Sequence, residues 1–257
     1  MADSISLLGR EIPLYGLMFL LGAMLAAVAA LILAKVRKIT VFDLACSVVY
    51  VMFGSFLGAK LVFIIVTLPK IIELNLSWQS FVFGGFVFYG GLLGGGTALI
   101  LYTHRYRDET DLFDVYAAVL PLGHALGRVG CFFAGCCYGI PYSGRWAHTY
   151  TESVGMTPLG VPLLPIQLIE SAGLVLLFAV QMVLFFTIEK NKKGINAVTY
   201  LTVYPVMRFI IEFFRGDSER GRAGVLSTSQ IISIVLVLVT AAVLLYRKRR
   251  GSAKNSI

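Results

Sequence analysis

Long apolar runs, separated by short basic connections, dominate the chain. Seven are long enough to cross a bilayer, centred on Leu14–Ala34, Phe42–Leu68, Phe81–Tyr102, Leu112–Gly130, Leu164–Ile188, Ala197–Phe214 and Leu226–Tyr246. A helix rises about 1.5 Å per residue, so roughly 20 apolar residues cross the hydrocarbon core. The pattern predicts an all-α polytopic membrane protein with seven transmembrane helices, residues 1–257 forming a single integral membrane domain. Between 138 and 163 the pattern breaks. Pro141, Gly144, Trp146, Gly155, Pro158, Gly160 and Pro162 supply turn chemistry and an interfacial aromatic there, which predicts a short extracytoplasmic cap. The first run lacks a basic n-region and a small-residue cleavage site, so it reads as a span and not as a cleaved signal.

Composition changes the picture little. Of 257 residues, 58% are hydrophobic and 14% charged, against about 25% charged in soluble domains. The net charge of +8 is not a nucleic-acid signal, because the basic residues cluster between apolar runs. One set of connections holds Lys35, Arg37, Lys38, Arg105, Arg107, Lys190, Lys192, Lys193, Arg247, Lys248, Arg249, Arg250 and Lys254. The other holds only Arg10, Lys70, Arg145, Arg215, Arg220 and Arg222. The positive-inside rule places the richer set in the cytoplasm, with the N-terminus outside and the C-terminus inside.

Ionisable residues inside the apolar runs carry the chemistry. Tyr204, Arg208, Glu212 and Arg215 fall at i, i+4, i+8 and i+11, one stripe of a helix. Lys60 and Arg128 lie in two other runs. A charge at bilayer depth costs at least ~2.5 kcal/mol, so it is rarely placed there without a use. Two readings compete: a polar cavity that binds an anion, or interhelical ion pairs that fix packing. Three basic residues against Glu170 and Glu212 favour the cavity. The outer cluster Arg215, Arg220 and Arg222 reads either as a holder of an anionic head group or as a solvated loop neutralised by Asp217 and Glu219.

The second and third runs are rich in glycine. Gly54 and Gly58 form a small-xxx-small pattern for close helix approach. Gly84, Gly85, Gly90, Gly91, Gly94, Gly95 and Gly96 are too many for a plain spanning helix, since each costs about 1 kcal/mol relative to Ala. They make room for a neighbouring helix or a ligand. There is no P-loop ending, and there are no paired broken helices of the inverted-repeat transporters. In the fourth run His124, Arg128 and Cys131 share a face. Cys131, Cys136 and Cys137 read as small buried hydrophobes, as a disulfide in an oxidising compartment, or as soft-metal ligands with His124, although the spacing is not C-x-x-C.

Together these pieces resemble the prolipoprotein diacylglyceryl transferase family over nearly the whole length. The resemblance rests on Tyr15-Gly-Leu-Met-Phe, on Phe56-Leu-Gly58-Ala-Lys60 (where the family usually has Arg), and on Gly84-Gly85-Phe-Val-Phe-Tyr89-Gly90-Gly91-Leu-Leu-Gly94-Gly95. It continues through Gly127-Arg128-Val-Gly130, Pro165-Ile-Gln167-Leu-Ile-Glu170, Arg208-Phe-Ile-Ile-Glu212-Phe-Phe-Arg215 and Ser229-Gln230-Ile. It implies seven spans in a bacterial cytoplasmic (inner) membrane and an outward-facing active site. The implied reaction moves the diacylglyceryl group of phosphatidylglycerol to the lipobox cysteine thiol of a prelipoprotein, the first step of lipoprotein maturation. The implied partners are phosphatidylglycerol, the prelipoprotein signal peptide and membrane lipids, with no nucleic acid, no cofactor and no metal.

The resemblance implies catalytic roles for Arg128, Arg208 and Glu212. His124, one turn from Arg128 on the same face, is a further candidate because a neutral imidazole is suited to take a thiol proton. The resemblance also implies substrate contacts for Tyr15, Lys60, Tyr89, Gly90, Gly91, Glu170, Tyr204 and Arg215. Some positions depart from the family's pattern. Its usual F-H-G-G reads Phe88-Tyr89-Gly90-Gly91, Cys131 and Ala134 replace two Asn, Cys136 stands where Glu is usual, and Leu164-Pro165 replaces His-Pro. These changes fall on the acceptor side. Two alternatives stand beside this reading: a divergent paralogue with another acceptor, and a non-enzymatic phospholipid or anion transporter.

Overall fold

The computed structural model describes residues 4–7, 10–73, 86–106, 111–153, 157–187, 193–217, 222–223 and 226–254. Helices dominate: α1 (Leu14–Val36), α2 (Val41–Glu73), α3 (Phe88–Tyr106), α4 (Asp111–Phe133), α5 (Ile166–Thr187), α6 (Ile195–Glu212) and α7 (Thr228–Lys254). Three antiparallel two-stranded hairpins accompany them: β1 (Ser4–Leu7) with β2 (Arg10–Pro13), β3 (His148–Thr149) with β4 (Pro162–Leu163), and β5 (Arg222–Ala223) with β6 (Leu226–Ser227). The all-helical, polytopic expectation holds. Helices α1, α2, α4, α5 and α7 contain stretches long and apolar enough to cross a membrane. In α3 the glycines, and in α6 Asn196, Arg208 and Glu212, dilute the apolar character. The start of the third run, Phe81–Gly85, lies outside the described residues.

The chain divides into two compact units, Leu31–Phe113 and the remainder. In the first, α1 ends with Lys38 in the left-handed region (φ 57) while the Ile39 amide donates back to the Ala34 carbonyl. Thr40 then caps α2. The Asp43 amide donates to Thr40 Oγ1 at 3.1 Å, and that hydroxyl donates to the Asp43 carboxylate at 2.7 Å.

Helices α2 and α3 meet through glycine. A Cβ on Gly54 would sit 2.5 Å from Ala98 Cβ and 2.6 Å from the Gly94 carbonyl oxygen, and one on Gly58 would sit 2.9 Å from Gly94 Cα. Without a solvent-driven hydrophobic force in lipid, such backbone approach is what holds helices together.

In the other unit, the start of α1 packs on α4, where a Cβ on Gly22 would meet the Gly123 carbonyl at 3.0 Å. The Ser171 hydroxyl on α5 donates to the Ala125 carbonyl on α4 at 3.0 Å. At one end, buried Asp114 of α4 accepts the first free amides of α6, Gly194 at 2.5 Å and Ala197 at 3.0 Å. A carboxylate there satisfies orphan donors and faces the positive end of the helix dipole. Gln181 of α5 donates to the Asn196 carbonyl at 3.1 Å beside it.

At the opposite end lies the cap. Phe132, Tyr150 and Leu163 form its buried core, with Tyr138 and Val161 against them. The Ser153 and Thr157 hydroxyls both donate to the Gly135 carbonyl, and Gln167 donates to the Cys136 carbonyl at 2.8 Å.

Candidate functional site

Three helices of the larger unit, α4, α5 and α6, bring their ionisable residues toward the cap end. On α4, Arg128 Nε lies 3.0 Å from Glu170 Oε2 of α5, the glutamate side chain buried and the arginine partly so. His124, one turn before Arg128, puts Nε2 4.0 Å from the other Glu170 oxygen. On α6, Arg208 Nη2 lies 2.6 Å from Glu212 Oε2 in an i, i+4 pair. The same nitrogen donates to Ser229 Oγ at the start of α7, 3.2 Å away. Arg208 Nη1 is buried and has no acceptor.

Tyr204 joins the two pairs. Its ring meets the His124 ring edge-on at 5.1 Å and stacks on Tyr200 at 5.5 Å. The charges of Arg128, Arg208 and Glu170 all act on its hydroxyl.

The excess of base over acid expected from the sequence is therefore redistributed. Arg128 and Arg208 each have their own glutamate, so the pairs are close to neutral, and Arg128–Glu170 is an interhelical tie. Even so, Arg208 Nη1 and Arg128 Nε are both buried without a hydrogen-bond acceptor, the latter within ion-pair distance of Glu170. Arg215, just past α6, is engaged as well: it forks onto Asp217, Nε to Oδ1 at 2.9 Å and Nη2 to Oδ2 at 2.7 Å. Burial acts to lower its pKa, but this fork outweighs it and holds the guanidinium above its ordinary value.

Tyr15 opens α1 with its ring against Gly130 of α4. Lys60, Tyr89, Gly90 and Gly91 belong to the Leu31–Phe113 unit. Lys60 Nζ stands 5.1 Å and 5.0 Å from the centres of the Phe63 and Phe86 rings, a cation–π arrangement. A Cβ on Gly90 would lie 2.8 Å from Val62 Cβ, so its close approach is to α2.

Two partners escaped the sequence reading. Ser229 belongs to a quoted motif, but its bond to Arg208 depends on helix packing. Gln230 beside it completes a capping box with Ser227, the Ser227 amide donating to Gln230 Oε1 at 3.0 Å and the Gln230 amide to Ser227 Oγ at 3.2 Å. The spacing Ser-x-x-Gln was the available signal.

The three cysteines near the cap also converge. Their sulfurs lie within 4.8 Å of one another, and none is in a disulfide. Hydrogen bonding with Cys131 and Cys137, then burial, pushes the Cys136 thiol well above its usual range.

Apolar helices around buried arginine–glutamate pairs, with a small cap at one end, define a polytopic membrane protein built on a charged interior. Residues 3–246 match the prolipoprotein diacylglyceryl transferase family. A phosphatidylglycerol–prolipoprotein diacylglyceryl transferase of Clostridium tetani is 33% identical over 234 residues, covering 91% of this chain and 92% of that one. The second such transferase of Clostridium perfringens is 34% identical over 248 residues, covering 93% and 91%. That of Bordetella parapertussis is 32% identical over 253 residues, covering 93% and 92%. The chain belongs to this family of membrane transferases.

Proposed function

We propose that the protein transfers the diacylglyceryl group of phosphatidylglycerol to the lipobox cysteine thiol of a prelipoprotein, with Arg208 and Arg128 as the phosphate clamp. The observation that carries this reading is Arg208 Nη1, a buried guanidinium nitrogen without an acceptor. Such a group costs free energy unless something accepts from it, and a phosphate oxygen is a fitting partner.

In the reaction the acceptor thiol loses its proton and the sulfur attacks the glyceryl carbon. A C–S bond forms as the C–O bond to phosphate breaks, and glycerol phosphate leaves with the electron pair. Charge grows on the leaving phosphate, so a cation aimed there is worth more in the transition state than before it.

Glu212 orients Arg208 and, with His124, is a candidate acceptor for the thiol proton. Glu170 sets the position of Arg128, and Tyr204 donates to a phosphate or glycerol oxygen. The remaining assignments, Tyr15, Lys60, Tyr89, Gly90, Gly91 and Arg215 as substrate contacts, rest on the family resemblance. In this reading the chain is one integral domain of seven spans in the bacterial cytoplasmic membrane, N-terminus outside, with 138–163 as its outer cap. The lipobox-bearing signal peptide is the second substrate.

The test is acyl-labelled phosphatidylglycerol with a prelipoprotein peptide. Arg208→Ala should insert normally and lose about 10²–10³ in rate, and Arg208→Lys should also be impaired because a two-pronged fork becomes a point charge. Near-normal transfer by the alanine variant would remove Arg208 from the clamp. Label that leaves the donor without becoming covalent on the peptide would favour transport over transfer.

A further inference from the structure

The three clustered thiols owe their meeting to the way α4 ends. The Gly135 amide donates to the Phe132 carbonyl, and the Cys136 amide to the Cys131 carbonyl, with Gly135 in the left-handed region at φ 62. This is a Schellman ending, which brings the residue after the glycine back over the last helical turn, where an apolar contact commonly seals it. Cys131 and Cys136 occupy those two positions, and two small hydrophobes would suffice.

Cys137 needs another reason. It is a non-glycine residue at φ 58, a conformation that costs about 1–3 kcal/mol and persists where the surroundings impose it. That turn is what puts the third sulfur within 4.8 Å of the other two.

The loop is held on both sides of the sulfurs. Gln167 grips the Cys136 carbonyl at 2.8 Å, and the Gly216 amide donates to the Tyr138 carbonyl at 2.9 Å. Arg128 lies one turn before Cys131 on the same face, and the Arg215 side chain reaches Cys137. Both supply positive charge beside what would become a cluster of thiolates.

We propose that Cys131, Cys136 and Cys137 form a binding site for a soft, thiophilic cation, monovalent copper in preference to zinc. Thiolate sulfur selects such ions. Three thiolates complete a trigonal Cu(I) centre, the three protons passing to solvent. Tetrahedral Zn(II) needs a fourth ligand, and among the described residues no other His, Cys, Asp or Glu joins the cluster. The three ligands are none of the residues assigned to the transfer reaction, although Arg128 and Arg215, which are, border the site.

The experiment uses the purified full chain in detergent, thiols reduced, under anaerobic conditions. Cu(I) is titrated against a chromophoric copper chelator, and Zn(II) against a zinc chelator. One Cu(I) per chain should be withdrawn from the chelator. Cys131→Ser, Cys136→Ser and Cys137→Ser should each weaken this by roughly 10–100-fold, the scale on which metal sites respond to loss of supporting groups. Cys46→Ser should leave it unchanged. In the unmodified protein, Cu(I) should protect these three thiols from maleimide, read by mass spectrometry, a measurement that needs no variant to fold. Equal withdrawal by the triple serine variant, or no protection in the unmodified chain, would overturn the site. Tight Zn(II) with no Cu(I) binding would overturn the copper assignment.

Discussion

Arg128 on α4 and Glu170 on α5 form a buried interhelical ion pair, Nε to Oε2 at 3.0 Å, with the His124 ring 4.0 Å from the second carboxylate oxygen. Breaking a buried pair by removing one partner costs about 3–5 kcal/mol, because the other charge is left alone. Glu170→Gln should therefore lower thermal stability in detergent by about that amount, besides impairing transfer. Arg128→Met combined with Glu170→Leu should regain stability without regaining activity. A single variant as stable as the parent would show that the pair does not brace α4 against α5.

His124 meets Tyr204 edge-on at 5.1 Å and stands beside both arginines. If it takes the acceptor's proton, His124→Gln should lower turnover about tenfold to a hundredfold at neutral pH. Raising the pH toward the usual thiol value near ~8.5 should restore part of the rate as the acceptor ionises unaided. A defect of the same size at every pH would mark His124 as a packing residue and leave Glu212 as the proton acceptor.

Gly94 and Gly96 lie two positions apart on α3 and should behave in opposite ways. A Cβ on Gly94 would fall 2.9 Å from Gly58 Cα, whereas one on Gly96 meets nothing within 4 Å. Gly94→Ala should cost about 1–3 kcal/mol by forcing α2 and α3 apart. Gly96→Ala should be neutral or stabilising by up to about 1 kcal/mol through helix propensity. Thermal unfolding of the two variants side by side checks this, and equal midpoints would mean the helices do not meet through Gly94.

Tyr150 gives the cap an alkaline limit. Burial pushes its phenol up to about 12, the bond from Gln167 at 3.3 Å partly opposing the shift. The unfolded phenol ionises near ~10, so the folded cap resists a proton loss that the unfolded chain permits. Its contribution is full below pH ~10 and declines as pH rises toward the folded value. Emission of Trp146, with the other tryptophan replaced, should shift red across that window. Tyr150→Phe should flatten the shift; an unchanged profile would assign the transition to another group.

The helices and the charged stripes were legible because each depends on one periodicity. Arg208 and Glu212 are four apart on one helix, so their pairing follows from spacing alone. Arg128 with Glu170, and Arg208 with Ser229, join different helices, and no spacing specifies which rotation of α5 or α7 faces them. The cysteines show the same limit. Their sequence separation fits no common metal motif, yet a Schellman ending and one left-handed residue bring the sulfurs together. The hairpins were unforeseen because strands of two to four residues leave too little alternation to detect.

The backbone around Tyr138–Ile140 works as a splice between helix ends. The Ile140 amide donates to Phe214 and the Leu164 amide to Ile140, while Gly216 bonds Tyr138, so the ends of α4 and α6 and the start of α5 share one short ladder. The pairing runs on to Tyr142, whose amide donates to the Pro162 carbonyl at 2.9 Å, and the residues beyond it, out to exposed Trp146, hang from that ladder. Tolerance to changes in length should therefore be sharply uneven within the cap. Extra residues near Trp146 would lengthen a loop, whereas a single insertion at 138–140 would shift α4 by one residue against α6 and carry Arg128 out of step with Arg208.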